Sequence, residues 1–114
     1  MVAIESEVGT QRHIVTELPG PKSQALHARR KEVCSSGLST GFPVYIDHAQ
    51  GAILVDVDGN HILDMGSGIA VTSIGHAVPE VVAAVSEQVA KFTHTCFMVN
   101  PYEIYVEVCE ELAQ

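Results

Sequence analysis

His94 and Cys96 stand two residues apart in the stretch 93–99, and an extended backbone there turns both side chains to one face. An imidazole beside a thiol is the simplest nucleophile pair, but it works only when a third group orients the imidazole. No such group is near in sequence, so both are read as structural residues. Asp47, Asp56, Asp58 and Asp64 form a second candidate set. Catalytic carboxylates need burial or a like-charged neighbour to move their pKa. Asp58 belongs to a turn signal and the other three alternate along strands toward water, so the set is expected to serve solubility. Gly66 and Gly68 suggest a phosphate cradle, yet a dinucleotide fingerprint needs a third Gly or Ala where Val71 stands, and no Lys-Ser or Lys-Thr pair follows for a P-loop. The two glycines are read as a sharp change of direction that leaves the backbone open to close approach. His13, His27, His48, His61 and His76 lack metal-ligand spacing, and no metal site is expected. Cys34, Cys96 and Cys109 are odd in number without a C-x-x-C pair, which favours reduced thiols over a disulfide framework or a zinc ribbon.

The elements that position these residues must fit in 114 residues, the size of one small domain. Hydrophobic residues at 46%, charged residues at 18% and a mean hydropathy of +0.21 describe a globular chain. A formal net charge of -8 with six Lys and Arg leaves no basic surface for a phosphate backbone, so nucleic acid is excluded as an expected partner. The opening residues lack a basic segment followed by an apolar one, and no apolar run approaches the roughly 20 residues of a membrane span. A cytoplasmic protein without a membrane partner is the expectation.

Residues up to about Glu17 carry no period and are expected to form a mobile or surface-draped arm. After the breaker cluster 18–21, Ser23 is expected to cap a helix over 24–33 with Gly37 as its stop, placing Leu26, Arg30 and Val33 on one inner face. The Arg29-Arg30-Lys31 cluster falls in its later half, where cations suit the helix dipole. Alternation over 44–47, 52–57 and 61–65, broken at Gln50-Gly51 and at Asp58-Gly59-Asn60, predicts a three-stranded antiparallel meander. A glycine-punctuated loop over 66–76 follows, and Pro79 then opens a helix with Val81, Val82, Val85, Val89 and Phe92 on one apolar stripe. Beyond the extended stretch 93–99, Asn100 caps, Pro101 takes the first helical position and Glu103 reaches back, with Tyr105, Val106, Cys109 and Leu112 on one side. This last helix carries Glu110 and Glu111 where cations are favoured and shows no stop signal by Gln114. An apolar stripe that stops mid-pattern implies a partner surface encoded elsewhere.

The run Gly51-Ala-Ile-Leu-Val-Asp-Val-Asp-Gly-Asn-His-Ile-Leu-Asp64, continuing into Gly66-Ser-Gly-Ile-Ala-Val-Thr-Ser-Ile-Gly-His76 and Pro79, closely resembles class III pyridoxal-phosphate aminotransferases. Residues 19–24 and 92–103 resemble the bacterial 4-aminobutyrate transaminases within that class; relatives acting on ornithine, acetylornithine or β-alanine share the scaffold. The resemblance implies a fold-type I α/β transferase. Residues 1–20 would be an N-terminal arm, 21–99 part of the small N-terminal domain, and 100–114 the first helix leading into a large cofactor-binding domain. It implies pyridoxal 5'-phosphate held by a lysine, a homodimer whose sites are completed by the rest of the subunit and a second subunit, and small amino acid and 2-oxo acid substrates. Lys22, Lys31 and Lys91 are the only lysines, and none matches the family's Schiff-base motif, so no catalytic or cofactor-binding residue is expected in this chain. What carries over is a substrate-side wall. Ile69 matches an apolar residue set against the substrate chain, beside Gly68, and each methylene it covers is worth about 0.8 kcal/mol. Cys96 and Phe97 match the segment near the pocket. Met98 stands where some 4-aminobutyrate transaminases carry glutamine, forfeiting a hydrogen bond of about 0.5–1.5 kcal/mol. The resemblance therefore implies an inactive N-terminal fragment of an aminotransferase. The rival reading is a stand-alone interaction module derived from the same scaffold.

Overall fold

The computed structural model describes residues 8–114, which fall into two compact units, one closing at Val78 and the other spanning Pro79–Gln114. The first seven residues of the expected arm lie outside the described residues. In the first unit the predicted meander is present: β1 (Ile46–Gln50), β2 (Ile53–Asp56) and β3 (His61–Leu63) pair antiparallel in the order β1-β2-β3. The first strand starts later than the alternation suggested and runs to Gln50. Gln50 pairs directly with Ile53, so Gly51, at φ +55, forms the tight turn. Gly59, at φ +89, turns the second hairpin.

The buried apolar core of the described residues is Val8, Ile53 and Val55. Val8 comes from the expected arm, whose described residues are draped rather than loose. The Val8 N–H donates to Gln50 Oε1 at 3.1 Å, and His13 and His61 exchange backbone hydrogen bonds of 3.1 and 2.7 Å. The strongest tie is Asn60, fully buried. Its Oδ1 accepts the N–H groups of Val15 and Thr16 at 2.8 and 2.9 Å, while its Nδ2 donates to Thr16 Oγ1 at 2.8 Å and Asp56 Oδ2 at 2.7 Å. The other oxygen of Asp56 accepts the N–H groups of Asp58 and Asn60. Asp56 is therefore 2% exposed, not turned to water as the alternation predicted, because the arm covers the side of the hairpin that a lone sheet would leave wet. Every lone-pair direction used points at an N–H, so the D-x-D-G-N run is a backbone clasp.

Asp58 does more than turn the chain. Helix α1 (Pro21–Val33) begins with Pro21 behind Gly20, and the Asp58 carboxylate accepts the Lys22 and Ser23 N–H groups at 2.8 and 2.9 Å. A remote carboxylate thus satisfies the orphan donors of the first turn and meets the positive end of the dipole. Gly20 is required there: a Cβ would lie 2.5 Å from Asp58 Cγ. Ser23, the expected cap, is instead buried inside the first turn, where its Oγ accepts the Tyr45 N–H at 3.2 Å. The helix ends at Cys34, which is extended, without needing Gly37. The expected inner face is only half-buried at Leu26 and Arg30, and Val33 is exposed. The Arg30 guanidinium donates to the Leu38 carbonyl, and its neighbours Arg29 and Lys31 are exposed.

In the second unit, α3 (Pro79–Lys91) starts at the predicted proline and α4 (Glu103–Leu112) follows. Asn100 and Pro101 precede α4 rather than cap it; extended Tyr102 is the cap residue. Val81, Val82, Val85 and Val89 on α3, and Ile104, Tyr105, Val106 and Val108 on α4, are exposed. Between the helices, Phe97 meets Tyr102 edge-on at a centroid distance of 5.3 Å and Tyr105 at a tilt of 45° and 4.4 Å, and Phe92 meets Tyr102 at 5.4 Å. This aromatic cluster holds the second unit together.

Candidate functional site

The 66–76 loop leaves β3 through Asp64, whose Oδ1 accepts the N–H groups of Gly66 and Ser67 at 3.1 and 2.7 Å. This is the local turn that aspartate favours two and three residues ahead of itself. The chain then makes a single hydrogen-bonded turn, α2 (Ser67–Ala70), whose interior is left-handed. Ser67, Gly68, Ile69 and Ala70 have φ of 48, 59, 62 and 64°. Glycine adopts this readily, but an L-residue with a Cβ loses about 1–2 kcal/mol, so the other three store about 3–6 kcal/mol. Ile69 is the extreme case, being β-branched and 94% exposed.

Polar ties hold the turn. His76 Nε2 lies 2.7 Å from Asp64 Oδ2, Ser67 Oγ lies 3.0 Å from Thr72 Oγ1, and the His76 backbone exchanges hydrogen bonds of 2.8 and 2.9 Å with Gly51. Gly75 lets this return strand lie on the first hairpin: at φ +93, its missing Cβ would be 3.2 Å from Gly51 Cα. The Asp64 side chain is only 11% exposed, against the expectation that it faces water. The His76 hydrogen bond, reinforced by the Ser67 and Gly66 N–H groups, holds its carboxyl below the usual carboxylate range despite partial burial.

In the second unit the expected extended stretch is a turn. The Cys96 carbonyl accepts the N–H groups of Val99 and Asn100 at 2.8 and 3.1 Å, and Cys96 itself has φ 55. Alternation therefore does not apply to His94 and Cys96, because among the described residues no neighbouring strand holds this stretch straight. Phe97 is committed to the aromatic cluster, while Met98 projects at 92% exposure. Gly68 and Ile69 thus share one turn, and Cys96, Phe97 and Met98 share another. Asp64 and His76 were missed by sequence reasoning as a pair. An Asp placed just before Gly-Ser carried a signal; His76, twelve residues on, carried none. Among the described residues no group of three His, Cys, Asp or Glu could hold a metal ion, and no helix is long and apolar enough to cross a membrane.

The profile of the family described as Aminotransferase class-III matches residues 35–114. The chain belongs to this family. It is 59% identical over 101 residues to the 4-aminobutyrate aminotransferase of Mycobacterium tuberculosis, covering 89% of this chain and 22% of that one. It is 42% identical over 90 residues to the 5-aminovalerate aminotransferase DavT of Pseudomonas putida, covering 79% and 21%. A solved transaminase with PLP bound superposes with a TM-score of 0.72 at 34% identity, covering 89% of this chain and 24% of that one. The chain thus spans about a fifth of the length of the curated relatives it matches, and its sheet and helices correspond to a portion of the aminotransferase fold.

Whether a class-III aminotransferase coenzyme fits the residues present can be judged from the lysines. Lys22, Lys31 and Lys91 are all exposed, and Lys91 Nζ is held 2.7 Å from Glu87 Oε1. A lysine that attacks an aldehyde has to be kept neutral by desolvation or a cationic neighbour. Three exposed ammonium groups, one of them paired with a carboxylate, are the opposite arrangement, so these lysines do not fit the group.

Proposed function

We propose that this chain supplies the substrate-side wall of a 4-aminobutyrate:2-oxoglutarate aminotransferase, a cytoplasmic homodimer that moves an amino group from an ω-amino acid to a 2-oxo acid. Residues 1–20 would serve as its arm, 21–99 as part of the small domain and 100–114 as the lead into the cofactor-binding domain. Ile69 carries this reading. A β-branched apolar residue held left-handed and almost fully exposed contributes nothing to packing, and strain of this kind persists where a surface must be presented to something else. Its sec-butyl group offers an apolar wall to a linear aliphatic chain, without selecting by charge. Gly68 gives the substrate room beside it; in the second unit exposed Met98, next in sequence to Cys96 and Phe97, is proposed by itself as a further substrate-binding residue. The name of the Mycobacterium tuberculosis relative supports 4-aminobutyrate as the donor, and that of the Pseudomonas putida relative supports a short ω-amino acid.

The 114-residue chain alone is inactive in this proposal, since none of its lysines suits the coenzyme. Incubated with pyridoxal phosphate, 4-aminobutyrate and 2-oxoglutarate, it should form no glutamate and no borohydride-stable adduct on Lys22, Lys31 or Lys91; turnover would refute the assignment. In an enzyme that contains this segment, Ile69→Ala should raise KM for 4-aminobutyrate roughly five- to thirtyfold with kcat kept, the loss of about 1–2 kcal/mol of apolar contact. The exposed valines of α3 also support the rival interaction module. A dye for apolar surface combined with sedimentation separates the two: self-association with strong dye binding fits the aminotransferase segment, and a compact monomer whose dye binding is confined to the α3 stripe fits the module.

A further inference from the structure

We infer that Asp64 and His76 are positioning residues, a side-chain clamp across the stem of the 66–76 loop that keeps the α2 turn left-handed and so fixes where Ile69 projects. The inference rests on the reading of Ile69 as a substrate contact, but the clamp itself is argued from geometry alone. Met65, Ile69, Val71 and Ile74 are the large apolar residues from 65 to 75, and all are highly exposed, so no apolar packing anchors the loop. A strained turn without packing relaxes unless polar ties over-determine it.

The ties converge on one carboxylate. Asp64 Oδ1 receives the two N–H groups that open the turn, and Oδ2 receives His76 Nε2 from the returning strand. One side chain therefore joins both ends of the loop. The His76 main chain is in turn fixed on Gly51, so the imidazole starts from a backbone that cannot drift. An ionised carboxylate only accepts, so the ring presents its Nε2–H to Asp64 Oδ2. Ser67 Oγ and Thr72 Oγ1 form the inner rung of the same ladder.

The test uses the 114-residue chain by NMR, with no amino acid or coenzyme present, so it fails or succeeds separately from the aminotransferase assignment. The readouts are hydrogen exchange at the Ser67 and Val71 amides, the Cα and Cβ shifts of Ile69 that report left-handed backbone, and exchange at Asp56 and Val57 as a reference in the sheet. His76→Ala should speed exchange at Ser67 and Val71 about ten- to a hundredfold and carry the Ile69 shifts away from left-handed values, while Asp56 and Val57 change less than about threefold. His76→Gln, whose amide reaches the Nε2 position, should restore both readouts. Loop exchange within twofold of the parent in His76→Ala would overturn the clamp. So would a parallel loss at Asp56 and Val57, which marks the pair as general support, and so would a failure of His76→Gln to restore the Ile69 shifts.

Discussion

Replacing Asn60 by alanine takes four hydrogen bonds out of a site where the Asn60 and Asp56 side chains are buried. Four groups lose a partner: the N–H groups of Val15 and Thr16, Asp56 Oδ2, and Thr16 Oγ1, which keeps its bond to the Glu17 carbonyl. Each orphaned buried group costs about 1–3 kcal/mol, and a water admitted to the vacated space recovers part of that, leaving a loss of about 3–5 kcal/mol. Domains of this size have about 5–15 kcal/mol in total, so Asn60→Ala should lower the urea midpoint by roughly 2 M or abolish the cooperative transition. Circular dichroism on parent and variant chains measures this. Asn60→Asp provides the control. It keeps both N–H acceptors but sets a second carboxylate where the amide nitrogen now sits 2.7 Å from Asp56 Oδ2. Like charges that close raise the pKa of the pair. A folded-state pKa above the unfolded value gives stability that is present at low pH and lost as pH rises, so Asn60→Asp should be close to the parent near pH 3 and clearly weaker at pH 7. A loss under about 1 kcal/mol for Asn60→Ala, or a pH-independent deficit for Asn60→Asp, would refute the clasp as the element that joins the arm to the sheet.

Asp58 yields a second pH expectation. Partial burial pushes its carboxyl up, but the Lys22 and Ser23 N–H groups, the Ser23 hydroxyl and the Lys22 charge outweigh it, and the net displacement is downward. Its contribution is therefore present above the ordinary carboxylate range and lost as pH falls through the lowered value, so Asp58→Asn should flatten acid unfolding below about pH 4, read by circular dichroism. Gly75→Ala adds a Cβ at φ +93 against Gly51 and should destabilise the first unit by about 2–4 kcal/mol, seen as faster exchange at the Gly51 and His76 amides. Ile69→Gly, by contrast, should be neutral or stabilising by up to about 1 kcal/mol in thermal melts, because relief of left-handed strain offsets the added chain entropy. Val85→Glu together with Val89→Glu should reduce dye binding and self-association while leaving the melting of the sheet within about 0.5 kcal/mol.

How much of this was legible beforehand depends on whether a residue's role is set by its neighbours in sequence. The meander was, since Asp58-Gly59 dictates a turn and alternation dictates the strands, and so was α3, which opens at Pro79 as read. Asp56 was misassigned because strand alternation knows two faces but not what covers them; the arm, over forty residues earlier, decides that. Ser23 was taken as a cap because the actual acceptor for the first turn of α1, Asp58, lies 35 and 36 residues away in sequence. The 93–99 stretch has the composition of a strand, but a strand exists only by pairing, and the Cys96 carbonyl closes a turn instead. Of the site, the glycine change of direction and Ile69 were readable, the latter through family likeness. The left-handed run and the Asp64–His76 tie arise from geometry that no local pattern encodes.

The pairing of His13 with His61, together with the grip of Asn60 on residues 15 and 16, also sets an order of assembly. Adjacent hairpins close within microseconds, whereas joining positions about 45 apart must first overcome the entropy of a long loop. On a ribosome the leading segment has nowhere to dock until position 60 has cleared the exit tunnel. Residues 8–16 are thus among the last of this unit to settle although they precede the sheet in the chain, and Val8 stays uncovered throughout that interval.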